Sequence, residues 1–312
     1  MQRLLITIEP RSGFVSPLKG GQLFGQLAWT IAEAFGSARL TSLLDGYVDG
    51  RPFLVLSDAM PSGVVPMPAM PVHWWAPDVN VRERKRIKAL RWLPREALRE
   101  PVARWRDRAL TDDDLAKSGF SARNGERTRN TISRATGTTG EGRFAPFDTT
   151  DTSFGAGSRL DIHAILDETR LDRKEFLMLL ENAGLFGFGA DASSGAGKFV
   201  VMHAEVEPDE PPSTHFLTLA AMSPVAGVFR SDRTFYKPVT YFGRHGNVRA
   251  LSSVPFKKPL LLADTGAFLT VHAEAPQTMS FAGRGIVGHS AYADTVAQGY
   301  APLLAVTPVI RH

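Results

Sequence analysis

The stretch Leu185–Val201, LFGFGADASSGAGKFVV, sets four glycines (187, 189, 195 and 197) within eleven residues, with Ser193 and Ser194 among them and Lys198 directly behind. What surrounds it decides how it reads. Upstream, DRKEFLMLLENAG has helical spacing: Phe176, Leu177 and Leu180 share a face, Asp172 suits a cap and Gly184 a stop. Downstream, KFVVMHAEVE reads as a strand. The loop therefore joins a helix to a strand. A dinucleotide fingerprint needs the opposite order, so that a helix N-terminus faces the pyrophosphate. A Walker loop needs glycine where Ala192 stands and a hydroxyl where Phe199 stands. A kinase loop needs HRD and DFG motifs, and neither occurs. What remains is physical. Glycines reach positive φ and carry no Cβ, so backbone N–H groups can turn toward phosphate oxygens, helped by the two serine hydroxyls and the lysine charge. A tight connection that needs glycine only for packing is the competing reading.

Outward from this loop the chain has a regular plan. Residues Arg3 to Glu9 alternate as a strand. PRSGFVSPLKGG is a turn-rich loop, and QLFGQLAWTIAEAF is helical, with Leu23, Leu27, Ile31 and Ala34 on one stripe and Gly36 as its stop. A short helix over residues 40–47 precedes the strand PFLVLSD, and SRLDIHAIL alternates as a strand with Leu160, Ile162 and Ala164 on one side. Strand, helix, strand, insertion, strand, helix, strand is the split βαβ, or ferredoxin-like, order. EPDEPPS reads as a linker. Beyond Thr214 the segments HFLTLAA, FYKPVTYFG, KPLLLADTGAFLTVHA and APLLAVTPVI are strand-like and long helices are lacking. The expectation is an α+β protein: an N-terminal ferredoxin-like (RRM-like) module over residues 1–207, with an insertion at about 58–157, and a helix-poor, β-rich one over 214–312 that reads as a degenerate copy of the first.

A length of 312 residues favours two domains, and 43% apolar against 22% charged residues is an ordinary globular mix that can bury a core. Cysteine is absent, which excludes disulfides and thiolate metal sites. The N-terminus lacks the apolar core of a signal peptide, and no run of about eighteen apolar residues occurs, so a cytoplasmic protein that spans no membrane is expected. Net charge is +4, but Arg82 to Arg108 holds eleven Lys/Arg against four Asp/Glu, which suits either a polyanion or a solvated face. Trp92 and Trp105 lie within that run and would either stack on bases or seat it on the core.

Three further groups are candidates. Lys19, Gly20 and Gly21 precede the first helix, where backbone donors suit a phosphate or the segment is a plain connection. Arg129, Asn130, Ser133, Arg134, Thr138, Thr139 and Arg143 form a donor-rich set with little apolar content, apt for phosphates and base edges or for a plain solvated loop. Gly283, Arg284 and Gly285, in SFAGRGIVG, read as a second glycine loop with Arg284 as a phosphate ligand, or as a purely structural turn. The eight histidines show no metal-ligand spacing, and neither metal nor cofactor is expected. His245 and the nearby Tyr241 would either serve as acid and base on RNA or form a plain surface pair.

The glycine loop GFGADASSGAGKF resembles the G-φ-G-x5-G-x-G signature of the RAMP proteins of CRISPR systems, which sits between the last helix and last strand of a ferredoxin-like domain. SPLKGGQLFGQLAWTIAEAFG, PFLVLSDAMPSG, RNTISRATGTT, YKPVTYFGRHG, KKPLLLADTGAFL, FAGRGI and QGYAPLL are similar, in order, to landmarks of one RAMP family, the fourth Csm subunit of type III-A effector complexes. The resemblance runs from Ile6 to Pro302. It implies a non-catalytic subunit with two ferredoxin-like modules that grip the repeat-derived 5′ tag of the crRNA. It also implies contacts with the large Cas10-type subunit and with the first backbone RAMP subunit. The rival expectation is a RAMP endoribonuclease that cuts repeat RNA without metal, through His, Tyr or Lys acting on a 2′-OH.

Overall fold

The computed structural model describes residues 1–306 except 79, 81, 273 and 276, and describes the backbone but not the side chain of Arg143. Strand β1 (Gln2–Pro10) buries Leu4, Ile6 and Ile8 on one face, as its alternation predicts. Helix α1 (Gly20–Phe35) follows, burying Leu23, Phe24, Leu27 and Ile31, and it ends where Gly36 takes φ 86°. Ala34 is exposed rather than on that stripe, because the last turn of α1 overhangs the core with Glu33 and Phe35. The single helix expected at 40–47 is instead α2 (Ser37–Leu44) and a 3₁₀ turn at Tyr47–Asp49, separated by Gly46 at φ 69°. Strand β2 (Leu54–Leu56) comes next.

The long excursion that follows is made of small pieces: β3 (Met60–Pro61), β4 (Val64–Pro66), α3 (Val72–Trp75), α4 (Arg84–Ala89), β5 (Trp92–Pro94), α5 (Trp105–Arg108), α6 (Asp112–Lys117), β6 (Ala122–Arg129) and β7 (Phe147–Phe154). β8 (Leu160–Leu166), α7 (Arg173–Phe186) and β9 (Phe199–Glu207) return to the first sheet. Its order is β2–β8–β1–β9, antiparallel throughout, with α1 after β1 and α7 after β8: the split βαβ arrangement. β8 is buried at all seven positions, not on one side only. The face expected to be wet carries Asp161, which accepts bonds from Thr7, Ser62 and the Gly63 amide, and His163, which lies 3.4 Å from Glu207. The insertion and the segment after β9 cover that face.

The remaining strands are β10 (His215–Thr218), β11 (Pro238–Tyr241), β12 (Leu260–Ala263), β13 (Phe268–Thr270), β14 (Phe281–Ile286) and β15 (Ala297–Val306). The expected strand at the end of the chain reached 310, and its residues 307–310 lie outside the described ones. β13–β10–β15–β14 form a second antiparallel sheet, and β11–β12 a separate ribbon. Among the described residues after β9 there is no α-helix, in keeping with the helix-poor expectation. The strand order differs from that of the first sheet, however: the third strand pairs with the fourth rather than with the first.

The apolar cores cross between these parts. Tyr300 of β15 joins the core of the first sheet, with its ring 5.3 Å from Tyr47 and its hydroxyl donating to the Tyr47 carbonyl. Gln298 bonds both the amide and the carbonyl of Leu56, and Arg3 donates to the Leu303 carbonyl at 2.8 Å. A second core packs Trp75, Leu93 and Trp105 of the insertion on Leu217, Phe268 and Leu304. Trp105 is therefore a core residue, its indole donating to the Ala97 carbonyl, and Trp92 donates to Asp112. The charges of the basic run divide: Arg84, Lys85, Arg86 and Lys88 are exposed, whereas Arg91, Arg95, Arg106 and Arg108 pair with Asp112, Glu207, Glu83 and Glu96. No described helix is long and apolar enough to cross a membrane.

Candidate nucleic-acid interface

Asp172 caps α7, accepting from the amides of Lys174 and Glu175. Gly184 does not stop the helix. It lies inside α7, where a Cβ would stand 2.3 Å from the Phe199 carbonyl oxygen, so glycine here serves close helix–strand packing. The helix ends at Gly187, φ 99°. Gly189, Gly195 and Gly197 also take positive φ, as does Asp191. The neck of the loop is closed by bonds from the Phe188 amide to the Gly197 carbonyl and from the Gly197 amide to the Gly13 carbonyl. A Cβ at Gly187 or Gly197 would meet backbone oxygen at 2.5 or 2.1 Å, and one at Gly189 would meet Ser16. At Gly195 it would meet nothing within 4 Å. Packing thus accounts for three of the glycines, and Gly195 is needed for its φ alone.

Several loop amides are already engaged. Ser194 and Ala196 donate to the Asp191 carbonyl, Gly195 to Ala192, Ala190 to the Ser16 hydroxyl and Lys198 to the Ser12 hydroxyl. Among the described residues, the amides of Gly189, Asp191, Ala192 and Ser193 have no partner within the chain. Ser193, Ser194 and the Lys198 side chain are exposed beside them. The free donors are therefore mostly those of the non-glycine residues between the glycine pairs.

Two other segments converge here. The loop between β1 and α1 supplies Ser12, Gly13 and Ser16, as above. β6 and β7 form an eight-pair ribbon tied to that loop through a bridge between Phe14 and Thr152. Arg129, the last residue of β6, places its guanidinium 2.8 Å from the Asp191 carboxylate, joining the ribbon to the glycine loop. Beyond it, Ser133 and Thr138 close a tight turn (Ser133 amide to Thr138 carbonyl, 3.0 Å), with Thr139 next to it. Asn130, Arg134 and Thr138 are exposed, and their side chains make no hydrogen bond among the described residues. The side chain of Arg143 lies outside the described residues. Asp191, Ser12 and Ser16 organise this surface and were not singled out from sequence. The serines sit in the turn-rich loop, a weak signal, and Asp191 has none.

The other candidates sit apart. Lys19 is the N-cap residue of α1, with its ammonium 2.7 Å from Asp58 and held protonated above its ordinary range, because Asp58 outweighs the opposing effect of burial. The Gly20 amide donates to the same carboxylate, as does the Thr265 hydroxyl, and Gly21 follows in the first turn. Asp58 thus neutralises the helix start from within. Gly283, Arg284 and Gly285 do not form a loop. They lie in β14, where added Cβ atoms at the two glycines would meet the Gly299 and Tyr47 carbonyl oxygens at 2.1 and 2.6 Å. Arg284 donates to the Ser223 hydroxyl. His245 is buried against Ser290 and the Tyr292 ring, while the Tyr241 phenol faces Gln22.

No family model matches this sequence, and no curated protein matches it. Solved structures do. A chain of a Csm1–Csm4 cassette in complex with pppApA is similar over 99% of both chains, at 15% identity and a TM-score of 0.59. The cassette with AMPPNP gives the same figures. A chain of a Csm3–Csm4 subcomplex of the type III-A CRISPR–Cas interference complex is similar over 99% of this chain and 100% of its own, at 12% identity and a TM-score of 0.57. Csm4 is the subunit common to both kinds of assembly. Over nearly its whole length, this chain has a Csm4-like fold.

Proposed function

We propose that this chain is the Csm4-type subunit of a type III-A CRISPR–Cas effector complex, and that it holds the 5′ repeat-derived tag of the crRNA without cleaving it. The observation that carries the RNA reading is the convergence of the glycine loop, the β1–α1 loop and the β6–β7 ribbon. Together they present unpartnered amides at 189 and 191–193, the hydroxyls of Ser193 and Ser194, and the cations Lys198 and Arg134. Unpartnered amides and exposed hydroxyls gathered in one loop suit a sugar–phosphate backbone, and exposed arginine suits bidentate phosphate contact. The fold supports the assembly. Its partners in this reading are the large Cas10-type subunit, corresponding to Csm1, and the Csm3-type backbone subunit, with this chain capping the backbone. The two sheets are two RAMP modules meeting at about 208–213, the second having lost its helices and rearranged its strands.

The test is binding of tag RNA to the purified chain against a scrambled RNA at one fixed salt, since phosphate-driven affinity is salt dependent and blind to sequence. Arg134→Ala should weaken tag binding by about 1–3 kcal/mol in a filter-binding titration. Unchanged affinity removes Arg134 from the site, and equal affinity for the scrambled RNA removes tag recognition. Incubation with repeat RNA in EDTA should leave it intact. Specific cleavage that disappears in His245→Ala would establish an endoribonuclease instead.

A further inference from the structure

Away from this interface, the segments after β11 and before β15 bring together basic groups that the RNA reading leaves unused. Segments 243–245 and 255–257 pair, with the His245 amide donating to the Pro255 carbonyl and the Lys257 amide to the Gly243 carbonyl, each at 2.8 Å. Segment 289–290 closes on them. The Lys258 amide donates to the His289 carbonyl at 2.7 Å, and His245 Nε2 lies 2.8 Å from Ser290 Oγ. That oxygen also accepts from the Tyr292 amide.

The electrostatics of this cluster are unbalanced. Arg249 stacks on Tyr292 and is held bidentately by Asp294 at 3.0 and 2.7 Å. Lys257 has no ion-pair partner among the described residues. His289 is 3% exposed, and neither of its ring nitrogens has a hydrogen-bond partner. His245 is 5% exposed. Burial first, then neighbouring charge, sets all three below their ordinary pKa: Lys257 and His245 act on His289; Lys257 and Arg249, against Asp294, act on His245; and Arg249 acts on Lys257. The one carboxylate acting on this group, Asp294, is already committed to Arg249 and reaches only His245 among the three. An orphaned imidazole kept out of water, beside a half-buried ammonium with no counter-ion among the described residues, is costly unless a ligand satisfies it.

A metal does not fit, since the free groups are basic and Lys257 would repel it. A phosphate group does. It offers several acceptor oxygens, and its second ionisation falls near pH 6, close to that of imidazole, so that protons are readily shared across the contact. We propose that His289, His245, Lys257 and Ser290 form a separate site for a phosphate group. It stands independently of the RNA reading above, because free phosphate suffices to test it.

In the full-length chain with labelled histidine, inorganic phosphate should shift the His245 and His289 ring resonances and raise both pKa values, by about one unit. Binding should therefore tighten as pH falls from about 7.5 to 6. Lys257→Gln should weaken it roughly tenfold or more, while Lys257→Arg, which keeps the charge and reports on folding, should retain it. A second arm uses a short single-stranded RNA in competition with phosphate. Much tighter binding of RNA at the same two resonances assigns the group to a nucleic-acid backbone, and comparable or weaker binding assigns it to a free phosphate or phosphate ester. The proposal fails if inorganic phosphate leaves both resonances in place, or if Lys257→Gln binds it as the parent chain does.

Discussion

Gly197→Ala is expected to lower the unfolding free energy by about 3 kcal/mol or more, and Gly195→Ala, two residues away, by only about 1 kcal/mol. Both positions have positive φ, 74° and 89°, so both substitutions incur the same kind of backbone strain. They differ in what surrounds them. At Gly195 the new methyl group enters open space. At Gly197 it would stand 2.1 Å from the Phe188 carbonyl oxygen and 2.6 Å from the Phe188 amide nitrogen. Those are main-chain atoms, so no rotamer change relieves the overlap. The strand must separate, and with it go the two bonds that close the neck, Phe188 to Gly197 and Gly197 to Gly13. Phe188 is itself buried in the first core and would be drawn out. Urea unfolding of the two variants measures the difference directly. Equal midpoints would mean that the loop yields at its neck as readily as at its tip, and the packing account of Gly197 would be wrong.

The second large effect concerns acid. Glu207, the last residue of β9, is buried, bonded by Arg95 of the insertion, and 3.4 Å from the His163 ring. Burial alone would raise its carboxyl. His163 and Arg95 outweigh burial and hold it at about 2, against 4.5 for the free group. A depressed carboxyl stabilises the fold fully above the unfolded value, and this stabilisation drains away as pH falls toward the folded one. The loss should be about 2–3 kcal/mol between pH 5 and 2.5. His163 acts in the same direction at higher pH. Its burial lowers its pKa below 6.5, so protonation as pH falls below that value favours the unfolded chain. Urea midpoints across a pH series check both. Glu207→Gln should flatten the acid limb, and a limb of undiminished slope in that variant would assign acid sensitivity to other groups.

How much of this was legible in the sequence depended on whether a residue's role was local. The 3.6-residue spacing of Leu23, Leu27 and Ile31, and the cap at Asp172, gave α1 and α7 because those signals reside in the segment itself. The β6–β7 ribbon was missed for the converse reason. ARNGERTR and FDTTDTSF are polar on both faces, and a strand without a buried face has no alternation to read. Gly283 and Gly285 suggested a loop, but they are strand residues made small by the backbone of Gly299 and of Tyr47, the latter more than two hundred residues away in sequence. Gly184 likewise mimicked a helix stop. Within the candidate interface, the glycine spacing and the RNTISR segment were visible, whereas Asp191, which ties them together through Arg129, was not. The pairing of Lys19 with Asp58 escaped notice because it depends on tertiary approach.

The tyrosine pair described earlier also bears on how the protein is made. Tyr47 is translated early and Tyr300 about two hundred and fifty residues later, yet each completes the other's surroundings. A ribosome-bound chain that has emerged only through β9 has an exposed seam where β15 will lie, at Tyr47 and Leu56 and along the Arg3 side chain. Closure by so distant a segment makes folding slow and late. The growing chain is therefore most in need of protection by chaperones or assembly partners during synthesis of its second half.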